Sequence, residues 1–494
     1  MEKGSGAGDR SPHIAQRPVP VPLTADWVAA AMSGAIVVGD RRRTFTGVSI
    51  DTRTLNGGDL FVAIRGDRFD GADFAQAAID AGAAGVVMPR GNRVAQPFRA
   101  ADAGLKPRAT DAVVIEVDDT IAALQALGHA VRVESGSKVV AITGSAGKTT
   151  TKEVTAEFLA ARYRVIRNRG NFNNHIGLPL SLIDLRERPE IAVVELGMNH
   201  TGEISTLVRV AEPDVRVWTN VGEAHLGFFA SVDAIADAKA EILERATAKT
   251  LLVVNADDDR IVERSGRFKG RVVTFGIDRP ADVRATAIVD RGVEGTTARV
   301  ATPAGAVELT TPLIGRPNMA NVLAAVAVAV EYDVPLDAIA DRASRLKAAS
   351  HRGEIVRLAN GATVIDDSYN ANPTATRRAL DVLAAGRATR RIAVLGEMLE
   401  LGDRAEALHE EVGRAAAQAN LDVLLTVGGA PAAALAASAV AAGLGRDRAR
   451  HFATSDEAAA AAVALVGPGD LVLVKGSRGV QTDRVVERLK AELA

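Results

Sequence analysis

Eight residues, Thr143-Gly144-Ser145-Ala146-Gly147-Lys148-Thr149-Thr150, follow the apolar run Val139 to Ile142 and lead into a helical pattern. A strand, a glycine turn and a helix N-terminus in that order make an anion site, because backbone N–H groups point outward and the helix dipole favours negative charge. Lys148 would reach the β- and γ-phosphates of a nucleoside triphosphate, and the Thr149 hydroxyl would ligate Mg²⁺. Gly144, Ser145, Ala146, Gly147 and Thr150 complete the cradle. The full Walker spacing asks for a glycine six residues before the lysine; Ile142 stands there, and Gly144 lies only four before. The loop is therefore a variant, T-G-x-x-G-K-T-T. It fits ATP or GTP and names no reaction by itself.

Three further groups could act on a phosphate held there. Glu195 ends the apolar stretch "IAVVE" (191–195), and a carboxylate at the C-terminal end of a strand beside the phosphate-loop strand is where a Mg²⁺ ligand is needed. Alone it would equally suit a strand-end charge paired with a lysine. His225 follows another strand in "VWTNVGEAHLGFF" (217–229). Lys239 lies in the helical "ADAKAEILE" (236–244), where a lysine ordinarily faces water and, as an ammonium, cannot ligate a cation. "NRGNFNNHIGLP" (168–179) places four asparagines among glycines, the composition of a turn-rich loop.

These groups must be positioned by a chain of 494 residues, too long for one ordinary core. Hydrophobic residues make up 47%, charged residues 24%, and the net charge is −2, which offers no broad surface for a polyanion. There are no cysteines, so disulfides, thiolate metal sites and cysteine nucleophiles are excluded. Aromatic residues are 3%, against a base-stacking surface for single-stranded nucleic acid. Met1 to Pro22 has no apolar core of a secretory signal, and no apolar run approaches the ~20 residues of a membrane span. A cytoplasmic protein that binds no nucleic acid is expected.

Residues 1–22, rich in Gly, Ser, Arg and Pro, read as a disordered tail. A first domain is expected over 23–135, with strands at Leu60–Ile64 and Gly85–Met88, a helix over Phe74–Ala81 and a surface loop over 95–112. A second, over 136–348, alternates strands (139–142, 191–196, 215–219, 251–254, 272–275) with helices, which implies a mainly parallel sheet covered on both faces. Its Val/Thr-rich residues 283–314 read as a small antiparallel insertion, and a helix over Asn318–Tyr332 closes it. A third domain, over 349–494, repeats the doubly wound pattern with strands at 363–365, 392–395, 423–427 and 471–474. The expected class is α/β in three domains, the central one P-loop ATPase-like and the last Rossmann-like.

The order T-G-S-A-G-K-T-T, E-L-G-M-N-H, N-V-G-E-A-H-L, A-K-A-E-I and G-R-P-N-M-A-N-V-L-A-A resembles the Mur ligases, the ATP-dependent amide-forming enzymes of peptidoglycan precursor synthesis. "SIDTRTLNGGDLFVAIRGDRFDGADF" (49–74) is similar to the UDP-sugar-binding start of the members that handle longer peptides. "DDSYNANP" (366–373) with "LGEMLELG" (395–402) resembles the member that adds D-alanyl-D-alanine. The alternatives are a sibling that adds diaminopimelate or lysine to the UDP-muramoyl-dipeptide, and a P-loop NTPase without ligase chemistry.

The resemblance, which runs from about residue 24 onward, implies that ATP phosphorylates the terminal carboxylate of UDP-N-acetylmuramoyl-tripeptide and that the amine of D-alanyl-D-alanine attacks the acyl phosphate. It implies catalysis by Lys148, Lys239, His225 and Arg352. Two Mg²⁺ sites would draw on Thr149, Glu195, His225 and Lys239, the lysine carbamylated by CO₂ into an anion that can sit beside a cation. Asn318, Arg352 and Asp367 would meet the nucleotide. Ser49, Thr52, Arg53, Asn171, Asn173 and Asn174 would meet the UDP-sugar and its peptide, and Tyr369, Asn370, Asn372, Lys475 and Arg478 the dipeptide. Pro317 stands where the family usually has a histidine. A monomer taking only small-molecule substrates is expected, serving cell-wall growth, cell shape and division.

Overall fold

In the computed structural model, which describes residues 18–66, 69–91, 112–168, 170–224 and 226–493, the apolar runs become strands of three sheets. The chain separates into two compact units. One comprises Met1–Thr120, Ala130–Ser137 and Ile183–Pro189; the other comprises Ile121–His129, Lys138–Leu182 and Glu190–Ala494.

The first unit holds a five-stranded sheet in the order Ala35–Val38, Val113–Val117, Gly85–Pro89, Leu60–Val62, Val48–Ser49, parallel except for Ala35–Val38 at one edge. Of the three inner strands, Leu60–Val62 and Gly85–Pro89 were read from the sequence and the buried Val113–Val117 was not; the edge strand Ala35–Val38 is half exposed and Val48–Ser49 spans only two residues, so neither carries a strong pattern. The expected helix begins a turn early, as a 3₁₀ segment at Gly71–Phe74 started by Asp70, and continues as Ala75–Asp80. Val21, inside the expected tail, is buried and donates its N–H to the Arg186 carbonyl at 2.8 Å. Residues 1–17 and 92–111, the latter taking in all of the expected surface loop but residue 112, lie outside the described residues.

The second unit carries two sheets. The larger has nine strands in the order Gly305–Thr311, Thr296–Thr302, Val283–Asp290, Arg271–Gly276, Leu251–Asn255, Val215–Trp218, Lys138–Thr143, Ile191–Glu195, Val165–Arg167. The Val/Thr-rich segment is antiparallel within itself, but Phe275↔Val283 joins it in parallel to Arg271–Gly276, so it extends the sheet. The smaller sheet has the order Glu354–Arg357, Thr363–Asp367, Leu471–Lys475, Arg391–Gly396, Val423–Val427, Ala449–Phe452, parallel except at its first edge. The interior strands are buried on both faces, as parallel strands covered by helices must be.

The helix Gly315–Glu331 is apolar around most of its circumference and is buried accordingly, packed on the helix Lys148–Leu159 that leaves the phosphate loop. Register then does the positioning. Ile142↔Glu195 brings the carboxylate beside the residue that enters the loop, and Asp367↔Lys475 puts an acid next to a base on neighbouring strands. Among the described residues no helix is long and apolar enough to cross a membrane.

Candidate active site

The phosphate loop needs both of its glycines. Gly147 has φ +78°, and a Cβ on it would lie 2.2 Å from Asn321 Oδ1; a Cβ on Gly144 would lie 2.0 Å from Thr219 Oγ1. The loop is tied down from one side. Ser145 N–H donates to the Asn220 carbonyl (2.9 Å), and Thr219 Oγ1 to the Ala146 carbonyl (2.8 Å). Asn220 reads both backbone groups of Ala146, accepting from N–H and donating to C=O at 2.9 Å each. Gly222 N–H donates to Ser145 Oγ at 2.9 Å. No side chain caps the helix that starts at Lys148, which leaves its first-turn N–H groups for an anion. Gly147→Ala is expected to cost roughly 1–3 kcal/mol, as added strain at a left-handed position. Calorimetric ATP titration and the thermal midpoint measure it; if neither moves, Asn321 yields and the close approach is not a constraint.

Beside the loop, Glu195 is buried yet ionised. Burial alone would raise its pKa. The Lys148 charge, the Thr149 hydroxyl, Arg352 and the Asn173 amide outweigh burial and hold it below its ordinary value. Thr149 Oγ1 donates to Oε2 at 2.7 Å and Asn173 Nδ2 to Oε1 at 2.8 Å. Asn168 Oδ1 accepts the Glu195 N–H at 3.0 Å. Lys148 donates to the Gly144 carbonyl at 2.8 Å; part of its stem meets the cavity, but loss of water pushes its pKa down, opposed by Glu195 and aided by Arg352.

Lys239 is not the solvated helical lysine its local sequence suggests. On the helix Val232–Ala240 it is 1% exposed. Burial pushes its pKa well below the ordinary lysine value and the Lys148 charge adds to this, against Glu195. Arg216, buried on the neighbouring strand, donates to the Ile242 and Glu244 carbonyls just beyond it. His225 lies outside the described residues.

In the segments flanking the smaller sheet's strands, Arg352 stacks on Tyr369 at 4.1 Å, and Arg478 lies over the same ring at 5.6 Å. Lys475 Nζ, nearly fully buried, donates to Asp367 Oδ2 at 2.6 Å and to the Asn370 carbonyl at 3.0 Å. Asn318 donates to the Ile314 carbonyl (2.9 Å) and accepts from Asn321 Nδ2 (3.3 Å). Pro317 sits in the first turn of Gly315–Glu331, where a missing N–H costs nothing.

A 440 Å³ cavity brings most of these groups together: Ser145 to Thr150, Asn171, Asn173, Asn174, Glu195, Asn318, Arg352, Asp367, Tyr369, Asn370, Asn372 and Lys475 all line it. Gly144, Lys239 and Arg478 do not line it. Several expected contact residues also have structural duties. Asn174 Oδ1 accepts from Gly177 N–H (2.8 Å) at the start of Gly177–Ile183, and Asn372 caps Pro373–Ala385 by accepting from Ala375 N–H (2.8 Å). The local reading missed the roles of Asn168, Thr219 and Asn220; for Thr219 and Asn220 the available signal was a polar pair just after the buried strand Val215–Trp218, whereas Asn168 follows the half-exposed Val165–Arg167 and carried no such signal.

In the first unit, Ser49, Thr52 and Arg53 form the turn after Val48–Ser49. Arg53 grips Asp51 with Nε at 2.9 Å and Nη2 at 2.6 Å, which holds that carboxyl down at about 2. Ser49 Oγ donates to the Asp51 carbonyl at 3.0 Å.

Comparison with known proteins agrees along the chain. Residues 44–166 match the catalytic domain of the Mur ligase family, 142–329 the Mur ligase middle domain, and 351–478 the Mur ligase glutamate ligase domain. The UDP-N-acetylmuramoyl-tripeptide–D-alanyl-D-alanine ligase of Bacillus subtilis (strain 168) is 34% identical over 446 residues, 90% of this chain and 93% of the relative. A crystal structure of MurF from Acinetobacter baumannii superposes with a TM-score of 0.83 at 30% identity, covering 96% of this chain and all (100%) of that one. MurF from Thermotoga maritima in complex with ADP gives 0.77 at 27% identity, covering 90% and 97%. With the phosphate loop, the buried carboxylate and the second-sheet residues around one cavity, and with this similarity spanning nearly the whole length, the chain belongs to the Mur ligase family.

Proposed function

We propose that this protein is the ATP-dependent ligase that joins D-alanyl-D-alanine to UDP-N-acetylmuramoyl-tripeptide in peptidoglycan precursor synthesis. The γ-phosphoryl of ATP passes to the peptide carboxylate, releasing ADP. The dipeptide amine then attacks the acyl carbon, loses a proton, and the amide forms as inorganic phosphate leaves. The observation that supports this most is the cavity itself, in which an anion-binding loop, an ionised carboxylate and the Arg352–Tyr369–Lys475 group face one space.

The barrier is one of charge, since a carboxylate must approach a triphosphate. Lys148 supplies fixed positive charge at the loop, and Arg352 adds it from the other sheet. Thr149 and Glu195 fit Mg²⁺: two hard oxygen donors stand 2.7 Å apart. Among the described residues no group of three or more His, Asp or Glu encloses an ion, so the cation would keep waters and phosphate oxygens, as Mg²⁺ prefers. Bound there, it neutralises phosphate charge. Lys239, whose burial disfavours the charged ammonium, suits reaction with CO₂, and the carbamate with His225 would hold a second cation. Asn318 would orient the base and Asp367 the ribose. Asn171, Asn173 and Asn174 would hold the muramoyl peptide, with Ser49, Thr52 and Arg53 on the UDP end. Tyr369, Asn370, Asn372, Lys475 and Arg478 would receive the dipeptide. Domains over 23–135, 136–348 and 349–494, a monomeric state and a cytoplasmic location complete the reading.

Given ATP, Mg²⁺ and UDP-muramoyl-tripeptide, the protein is expected to release phosphate in proportion to added D-alanyl-D-alanine. Equal release without the dipeptide, or replacement of the dipeptide by diaminopimelate, would overturn the assignment.

A further inference from the structure

Residues 219–224 touch both halves of the second unit. On one side Asn220 and Gly222 hold Ala146 and Ser145 of the phosphate loop. On the other, Glu223 Oε2 accepts from Arg377 Nη2 at 2.5 Å and from Thr374 Oγ1 at 3.2 Å. Thr374 and Arg377 belong to the helix Pro373–Ala385, whose capping residue Asn372 lines the cavity. A Cβ on Gly222 would stand 3.2 Å from the Thr374 hydroxyl. A second contact lies close by: Gly227 N–H donates to the Glu400 carbonyl at 2.7 Å, and Gly402 packs against Gly227, leaving no room for a side chain.

The Glu223–Arg377 pair is neither surface decoration nor fully sealed; the two side chains are 19% and 34% exposed. Arg377 also lies 3.7 Å from Glu411, so one guanidinium is held by acids from two elements. An exposed pair contributes little to stability. A guanidinium gripped on two sides fixes direction instead, because its planar fork accepts few geometries.

We infer that Glu223 is a positioning residue. Through Arg377 and Thr374 it sets where the helix Pro373–Ala385 stands relative to the phosphate loop, and so where an incoming amine meets the activated carboxylate. The inference rests on the proposed ligase reading, with the dipeptide entering beside Tyr369 and Asn372. Phosphoryl transfer itself depends on the loop, Glu195 and Lys148, which Glu223 does not touch. Removing the pair should therefore spare the first half-reaction and weaken the second.

Glu223→Gln, Arg377→Met and the double variant test this. Exchange of labelled ADP into ATP, with UDP-muramoyl-tripeptide and no dipeptide, reads phosphoryl transfer alone; steady-state turnover gives KM for D-alanyl-D-alanine. Each single variant is expected to raise that KM about tenfold with exchange nearly unchanged, and the double variant to be no worse than either single. Arg377→Lys should recover part of the loss. An unchanged KM, exchange that falls in step with turnover, or additive losses in the double variant would overturn the inference. Thr374→Val, which removes one hydroxyl, serves if Arg377→Met does not fold, with a smaller rise in the same KM expected and no rise counting against the inference. Wild-type protein that never responds to the dipeptide overturns the ligase reading instead, a result distinct from active wild type with unaltered variants.

Discussion

Lys148→Ala is expected to lower kcat/KM by about a hundred- to a thousandfold while the chain stays folded, the usual cost of removing one preorganised charge from a reacting centre. The side chain has two tasks. It donates to the Gly144 carbonyl at 2.8 Å, closing the loop on itself, and it is the largest influence offsetting the burial of Glu195. Its loss leaves a buried carboxylate opposed only by Arg352 and neutral donors, so the Glu195 carboxyl should titrate higher in the variant. Activity in Lys148→Ala would then decline at a higher pH than in wild type as the solution is made acid. Lys148→Arg should not restore full rate, because a guanidinium fork does not replace a compact ammonium. Phosphate release over a pH series measures both effects, and a variant within a few-fold of wild type would exclude Lys148 from the reaction.

The second large effect is at Lys239. Lys239→Ala is expected to be nearly inactive, and short carboxylates such as acetate should restore part of the rate by standing in for a carbamate. Geometry makes the case: the residue is buried on Val232–Ala240, near Lys148 and Glu195, where an ammonium is poorly tolerated. The sign for stability follows. With the folded-state pKa below the unfolded value of 10.5, the unfolded chain binds more protons between those two values, so this group costs stability at neutral pH and the cost fades as pH rises toward 10.5. Lys239→Met should therefore melt no lower than wild type at neutral pH although it is inactive. A large drop in its melting temperature would make the lysine structural, and full activity in Lys239→Ala would sink the carbamate.

These two lysines mark what could be read from the chain. Lys148 announces itself, because a glycine turn between an apolar strand and a helix has few other uses. Lys239 does not: nothing within "ADAKAEILE" distinguishes a buried face from a wet one, and only resemblance over longer stretches singled it out. Most inner parallel strands were legible because they are buried on both faces and so are continuously apolar, as in Ile191–Glu195, although Val113–Val117, equally buried, was not read as one. Edge strands such as Glu354–Arg357 and Ala449–Phe452 are half exposed and short, and their sequences look like loops. The asparagines of 168–174 show the limit within the site. Composition announced a turn, but only the folded arrangement separates Asn168 and Asn173, which hold Glu195, from Asn174, which starts a helix.

That hold on Glu195 has a thermodynamic consequence. Its two carboxylate oxygens are already oriented by Thr149 and Asn173, and its backbone by Asn168. For the cation site proposed at Glu195, the conformational entropy of assembly would thus be lost during folding rather than on encounter. Binding of a divalent ion should accordingly show a small entropic penalty from protein ordering, and little of its heat should come from loop rearrangement. Asn173→Ala would shift that ordering from folding to binding, and calorimetry would register it as a less favourable binding entropy before any loss of affinity was complete.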